Sequence, residues 1–403
     1  MADDALSRRR LLAASLGAAA APGLAACSGQ AGGEPVGPAQ PQFAASPRNV
    51  RDFGAIGDGV ADDTQAIARA CADSAPVLLH FPAGHYLVSE WPDLPDYSVV
   101  TGDGGDVSLI VHNGEGTLIA LRDRQRVSFR SIGIFVTTPD ATAISLSNSF
   151  RCSFDSVVLR GNHLSDNHPQ FLGQRGVVLD QNTGGTAFVN SDINNFGVGL
   201  VTSCIQNYVT SSKFTSNHVS VLGTGNDHNA GLSLSNVEFV SDTDPRTTNH
   251  HIRVDGAANA WWLINVWFEG ADVALSIGDR DRGGPAQFGM VNCKVAARSV
   301  CLDLIYCRQP YLANVQFGHD LVTHPVELKI DPVGCPEGTA ANLISSASDE
   351  LDPSTFPGTW QVTGRRATDS LVLRDPAGRY WRLAVATDGT VETIALGDGR
   401  PPR

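Results

Sequence analysis

The chain has 403 residues and a formal net charge of −13, from 42 acidic and 29 basic side chains. Nucleic-acid binding needs a basic face, so this balance excludes nucleic acid as a partner. It also works against long-range attraction of an acidic polysaccharide unless a local basic patch overrides the field.

Residues 7–12 read Ser-Arg-Arg-Arg-Leu-Leu, and an alanine-rich apolar stretch runs from Leu11 to Ala26. Paired arginines ahead of a short apolar segment predict twin-arginine export. At about 16 residues the stretch is too short to span a hydrocarbon core of about 30 Å. Leu24-Ala25-Ala26-Cys27 resembles a bacterial lipobox, which predicts cleavage before Cys27 and lipidation of its thiol; ordinary signal-peptidase cleavage is the alternative. Removing residues 1–26, with three arginines against two aspartates, makes the mature chain one unit more negative. Gly29–Pro47 is rich in Gly, Pro, Ala and Gln and reads as a flexible tether. The expected organisation is a signal peptide at 1–26, a tether at 27–47, a β-helix at 48–345, and an exit segment with a small cap at 346–403. The expected location is the cell surface, through a lipid anchor in the membrane, or the extracellular space.

Past the tether, Val50 and Phe53 fit a short strand, and Gly57-Asp58-Gly59 a tight turn. Asp62 is placed to cap a helix, with Gln65 three residues on completing a capping box. Ile67, Ala70 and Cys71 give that helix an apolar stripe, able to cover an open solenoid end whose edge would otherwise invite aggregation. Phe81-Pro82-Ala83-Gly84-His85-Tyr86 follows as strand and turn.

Between residues 129 and 317 a six-residue pattern occurs eight times: apolar, any, Asn or Ser, mostly apolar, any, apolar. The copies are FRSIGI, FDSVVL, FVNSDI, VTSSKF, LSNVEF, LINVWF, MVNCKV and LANVQF, starting 21 to 34 residues apart. Each is followed by a second short run, from AISL at 143–146 to VELK at 326–329. Two repeats are lengthened by insertions, around His163–Gln174 and Asp242–Asn249. A period near 25 residues with short β-type runs predicts a stacked solenoid of the parallel β-helix type, because the apolar spacing of three and four that helices require is absent. The third hexad position is Ser131, Ser156, Asn190, Ser211, Asn236, Asn265, Asn292 and Asn314. These residues suit a left-handed corner, and the expectation is a hydrogen-bonded ladder inside the solenoid. Cys152, Cys293 and Cys301 fall on inward phases and read as packed, reduced thiols; a Cys301–Cys307 bridge is the alternative.

Residues 49–67, Asn-Val-Arg-Asp-Phe-Gly-Ala-Ile-Gly-Asp-Gly-Val-Ala-Asp-Asp-Thr-Gln-Ala-Ile, closely resemble the N-terminal signature of the pectate lyase superfamily. That resemblance implies an all-β fold, a right-handed parallel β-helix wound from one chain, with a carbohydrate-active or carbohydrate-binding role. It does not select a reaction, because one fold hosts many chemistries. The polygalacturonase pattern is matched only loosely, by Asn190-Ser191-Asp192. Ser212-Lys213 stands where paired aspartates are expected, and Gly-His-Gly and Arg-x-Lys are absent. The arginine-rich motif of calcium-dependent pectate lyases is also missing, so calcium is not indicated and no cofactor is expected.

The fifth hexad position points outward and reads Gly133, Val158, Asp192, Lys213, Glu238, Trp267, Lys294 and Gln316 down the stack. The chain has only three lysines, and two of them fall here. Asp192 and Glu238, two coils apart, would lie roughly 10 Å apart at the backbone, near the carboxyl spacing of inverting glycosidases. Lys213 between them suits either holding a carboxylate ionised or contacting a uronate. Asp192, Glu238 and Lys213 are the catalytic candidates, and Trp267, Lys294 and Arg253 the substrate-binding ones. A solvated face of alternating charge explains the same column without function. Lesser candidates are the Gly225–His228 turn and His250-His251-Ile252-Arg253, where adjacent histidines on a strand face opposite ways and do not make a zinc site. Glu269 and Asp272 read as corner residues, and Asp279–Arg282 as a self-neutralising loop.

Residues 370–396 read as three strands with turns at Asp375-Pro376-Ala377-Gly378 and Thr387-Asp388-Gly389. This meander suits a cap on the last coil, or else a small glycan- or partner-binding module. The functional expectation is a polysaccharide-active protein that cleaves glycosidic bonds by hydrolysis or β-elimination; the alternative is a non-catalytic, glycan-binding surface adhesin.

Overall fold

The computed structural model describes residues 47–72, 75–180, 182–224, 231–319, 324–346, 351, 353–363 and 370–397. The export signal, the tether as far as residue 46 with its Cys27, and the Gly225–His228 turn lie outside the described residues. Among the described residues no helix is long and apolar enough to cross a membrane.

The chain winds as a parallel β-helix with three ladders of strands. The first ladder is a 13-stranded sheet running from Arg48–Asn49 to Gln361–Thr363, with every pairing parallel. The hexads straddle the bend between it and the second ladder, which includes Val158–Arg160, Asp192–Asn194, Lys213–Thr215 and Glu238–Val240. The third ladder holds the second apolar run of each repeat, including Thr142–Ser147, Arg175–Asp180, Val198–Thr202, Val219–Gly223 and His250–Val254. Two coils, Trp267–Ile277 and Lys294–Leu304, pass from the second ladder to the third as single strands, with bulges near Ala271. In earlier coils Asn195 and Ser216, at φ 60° and 51°, break the strand at that corner.

All eight third-position residues have positive φ, between 48° and 56°, and Asn342 adds a ninth at 54°. Asn265 Nδ2 donates to Asn236 Oδ1 (3.1 Å), Asn314 Nδ2 to Asn292 Oδ1 (3.0 Å) and Asn342 Nδ2 to Asn314 Oδ1 (2.6 Å). The ladder therefore exists, but outside the solenoid rather than inside it: Asn236, Asn265, Asn292 and Asn314 are exposed. The reason is the left-handed turn itself. It lets positions one, four and six point inward and throws the third side chain to the rim. Asn265→Ala is expected to cost about 1–2 kcal/mol, since alanine lacks the local bonding that makes the left-handed region tolerable, while Asn265→Gly should cost less. Denaturant midpoints of the two variants check this; equal losses would assign the cost to the lost amide ladder alone.

Inside, apolar residues stack coil on coil. Phe129, Phe154 and Phe188 at position one are nearly parallel, with centroids 5.4 and 4.6 Å apart. Position six then takes over: Phe214, Phe239 and Phe268 stack at 4.8 Å spacing. In the first three coils position six holds Ile134, Leu159 and Ile193, and in the next three position one holds Val209, Leu234 and Leu263. Each of these six coils thus carries one large ring and one smaller aliphatic side chain, which keeps the filled volume constant as the rings change sides.

At the start of the fold two local expectations are corrected. Val50–Phe53 is a 3-10 turn rather than a strand, capped by Asn49, whose side chain accepts from Arg51 N. The helix Thr64–Ala70 begins at Asp63, not Asp62, and the Gln65 capping box does not form. Asp62 Oδ1 accepts from Thr64 N (2.9 Å), while buried Asp63 turns back to accept from Ile56 N (2.6 Å) and Gly57 N (3.1 Å). With two adjacent aspartates, the one facing the preceding loop satisfies more buried donors. Ala66, Ile67 and Ala70 of the helix join the solenoid core.

At the far end Trp360 is buried in the same core, its Nε1 donating to Cys335 O (3.0 Å). The three-stranded antiparallel meander forms at Ser370–Arg374, Tyr380–Val385 and Val391–Gly397. Val372 is buried and Tyr380 Oη donates to Glu337 (2.7 Å), whereas Leu371, Leu373, Val385 and Val391 are exposed. Among the described residues seven cysteines are buried as free thiols, Cys301 and Cys307 included, so no bridge joins that pair.

Candidate functional site

The predicted outward column is a continuous register line. Gly133 pairs with Val158, Val158 with Asp192, Asp192 with Lys213, Lys213 with Glu238, Glu238 with Trp267, Trp267 with Lys294, and Lys294 with Gln316. Residues as much as 34 positions apart in sequence thereby become vertical neighbours, one strand spacing of about 4.8 Å apart. The inward neighbours Ile193, Phe214, Phe239 and Phe268 fix the side from which the column projects.

Within the column the charges are organised. Lys213 Nζ lies 3.3 Å from Glu238 Oε2, with both side chains about half exposed. Asp192 is more enclosed, and burial holds its proton affinity above the ordinary carboxylate range. Lys213 and Arg160 pull the other way without reversing the shift, and Asp106 and Glu238 add to it. Arg160 is itself engaged by Asp106 at 2.6 Å. The two carboxyls thus differ: one is paired with a cation, the other inclined to keep its proton.

Trp267, a substrate-binding candidate, has two neighbours already in place. The Lys294 ammonium sits 3.8 Å from the centre of its ring, and Nε1 donates to Glu269 Oε2 at 3.0 Å. One ring face is therefore covered by a cation, leaving the other face and edge for a ligand. Lys294 is held above the ring rather than extended into solvent.

Arg253 does not join this column. It lies in the third ladder, in register with Leu222, Ser276 and, through Ser276, Asp303. Its guanidinium approaches Asp255 (3.9 Å), which Arg282 also reaches at 3.2 Å. The Asp279–Arg282 loop is accordingly not self-neutralising: Arg280 pairs with Asp331 and Arg282 with Asp255, both on other segments. His250 and His251 face opposite ways as expected. His251 is fully buried, with Nε2 on Glu269 O (2.8 Å), and burial pushes its pKa down to about 4, so it stays neutral. Glu269 and Asp272 lie within a bulged strand rather than at a turn, because the corner there is replaced by continuous pairing.

A second outward line escaped the sequence reading. On the first ladder Tyr208, Ser233, Trp262, Gly289, Tyr311 and Thr339 are in register, and Tyr208, Trp262 and Tyr311 are exposed. Trp262 lies across Gly289, where a side-chain carbon would meet its ring at 2.2 Å. The alternation of Trp261 inward and Trp262 outward was the available signal.

The comparisons with known proteins bear on this geometry. Residues 47–143 match the sequence model of a family described as Rhamnogalacturonase A/epimerase, pectate lyase-like. The chain carries the pectate lyase-like β-helix. A 77-residue stretch is 43% identical to the Non-secreted LysM effector LysM19 of Penicillium expansum, covering 16% of this chain and 6% of that protein. The chain thus spans only a small part of that curated relative. Among solved structures, ORF18 of Geobacillus virus E2 superposes with a TM-score of 0.53 at 14% identity, over 88% of this chain and 78% of that one. A hyperthermoactive exopolygalacturonase from Thermotoga maritima gives 0.52 at 12% identity, over 77% and 94%. At these identities the pectate lyase-like likeness to solved structures is one of fold.

Proposed function

We propose that this pectate lyase-like protein is exported and cleaves a polysaccharide at or beyond the cell surface, with the Asp192–Lys213–Glu238–Trp267–Lys294 column as its groove. The observation that carries the reading is the unequal state of two carboxyls two coils apart. Asp192, whose burial raises its proton affinity, suits the general acid; Glu238, 3.3 Å from the Lys213 ammonium, suits the base that activates water. Backbone spacing of about 10 Å leaves room for that water and favours inversion. Lys294 and the free face of Trp267 would hold the next sugar, and a uronate would satisfy either lysine. The description of the matching family and the name of the superposing exopolygalacturonase support a polysaccharide as ligand.

The second reading is a glycan-binding protein without turnover. It is favoured by the direct Lys213–Glu238 contact, which leaves that pair already satisfied. A polysaccharide panel separates the readings. Release of reducing ends without the ultraviolet absorbance of an unsaturated uronate is the expected result. Appearance of that absorbance would replace hydrolysis by β-elimination, and binding with neither signal would select the second reading.

A further inference from the structure

The two insertions that interrupt the repeat meet at one place. His163 and His168 belong to the first insertion, His218 to the corner before Val219–Gly223, and Thr247 to the second insertion. The rings of His163, His168 and His218 form a near-equilateral triangle, with centroids 5.5, 5.8 and 5.9 Å apart. One nitrogen from each lies within 4.8 Å of the others. Nδ1 of all three is shielded from solvent and has no hydrogen-bond partner, and His163 is wholly buried.

The opposite nitrogen of His163 is fixed: Nε2 lies 2.7 Å from Thr247 O. A ring that donates one N–H to a carbonyl presents its other nitrogen as a bare lone pair, the arrangement found behind metal-ligating histidines. Three shielded ring nitrogens without partners, on rings packed against one another, lack water's hydrogen bonds, so the cluster is costly unless something binds all three. A tetrahedral zinc ion, about 2.0–2.1 Å from each nitrogen, asks for ring centroids roughly 5 Å apart, close to those observed.

We propose that His163, His168 and His218 bind a divalent transition metal of the zinc class through their Nδ1 atoms, clamping the first insertion to the body of the β-helix. Three nitrogen ligands select zinc, cobalt, nickel or copper over calcium and magnesium, which demand oxygen. The backbone of the second insertion is already held to receive the cluster: Arg298 donates to Pro245 O (3.0 Å), Thr248 O (2.9 Å) and Gly270 O. The fourth coordination position is left to water.

The test uses the full chain without a histidine tag, stripped with a chelator. Titration with Zn2+ against a chromophoric chelator should show one tight equivalent per chain, and Co2+ should give the intense visible bands of a tetrahedral site. Zn2+ should raise Tm, and His168→Ala and His218→Ala should each weaken binding at least 10-fold while far-UV circular dichroism is retained. His85→Ala, an exposed histidine elsewhere, should bind as the parent does. No stoichiometric binding, or binding unchanged in both variants, overturns the proposal. Should the variants not fold, the cobalt spectrum and the metal-dependent Tm of the parent chain decide it alone, because a surface-bound ion gives neither.

Discussion

Asp192→Asn is expected to lower turnover roughly 100- to 10,000-fold, the contribution usual for a positioned general acid. The neighbourhood of Asp192 is otherwise preserved, since asparagine is isosteric and Ile193 beside it is the residue that packs. The same substitution has a second signature that a purely structural role for a charged surface residue would not produce. Burial raises the folded-state pKa of Asp192, so the native chain holds this proton more tightly than the unfolded one. The wild-type fold therefore loses stability as pH rises from the ordinary carboxylate pKa through the elevated one. The Asn variant has no such loss, and its Tm should gain on wild type across that window. Activity should fall on the alkaline side through the same ionisation, because the acid form is the catalytic one. Glu238→Gln should remove activity at every pH. Initial rates on the glycan selected by the panel, with Tm measured across pH, test both; turnover unchanged in Asp192→Asn would move the chemistry to another face.

Phe239→Ala should cost about 3–5 kcal/mol, the range for deleting a buried aromatic ring. Phe239 is fully buried and is the middle member of a stack, with Phe214 and Phe268 each 4.8 Å away. Its removal strips two ring contacts and leaves a void that the stiff backbone of adjacent coils closes poorly. Phe239→Leu, closer in volume, should cost well under half as much. Equilibrium unfolding of the two variants measures the difference. Near-equal losses would show that the stacking geometry matters more than the filled volume, since leucine restores volume without a π face.

Much of this architecture was legible because a solenoid turns a sequence period into a vertical coordinate. Once the hexads were in phase, Asp192, Lys213, Glu238, Trp267 and Lys294 had to share a line, and they do. The left-handed corners followed in the same way, from Asn and Ser at one phase. What was not legible depends on side-chain torsions and on contacts outside the period. The amide ladder lies on the rim because a left-handed residue inverts its side-chain direction, which spacing alone does not encode. Lys294 folds back over Trp267 because a long flexible cation finds an aromatic face one strand away. Arg253, by contrast, was placed by the period: it belongs to the second run of its repeat, and that run pairs within the third ladder. The histidine triangle was least accessible: its members are separated by 5 and 50 positions, and only the folding of an irregular insertion brings them together.

The seven enclosed thiols of the described residues are chemically quiet in the native fold. Burial lifts Cys152, Cys204 and Cys293 to about 11 and Cys71, Cys301 and Cys307 to about 12, so almost no thiolate exists near neutrality. Peroxide and alkylating agents then act on these sulfurs only when a coil opens. Spread from Cys71 near the first coil to Cys335 near the last, they amount to a built-in set of reporters for where the solenoid comes apart first.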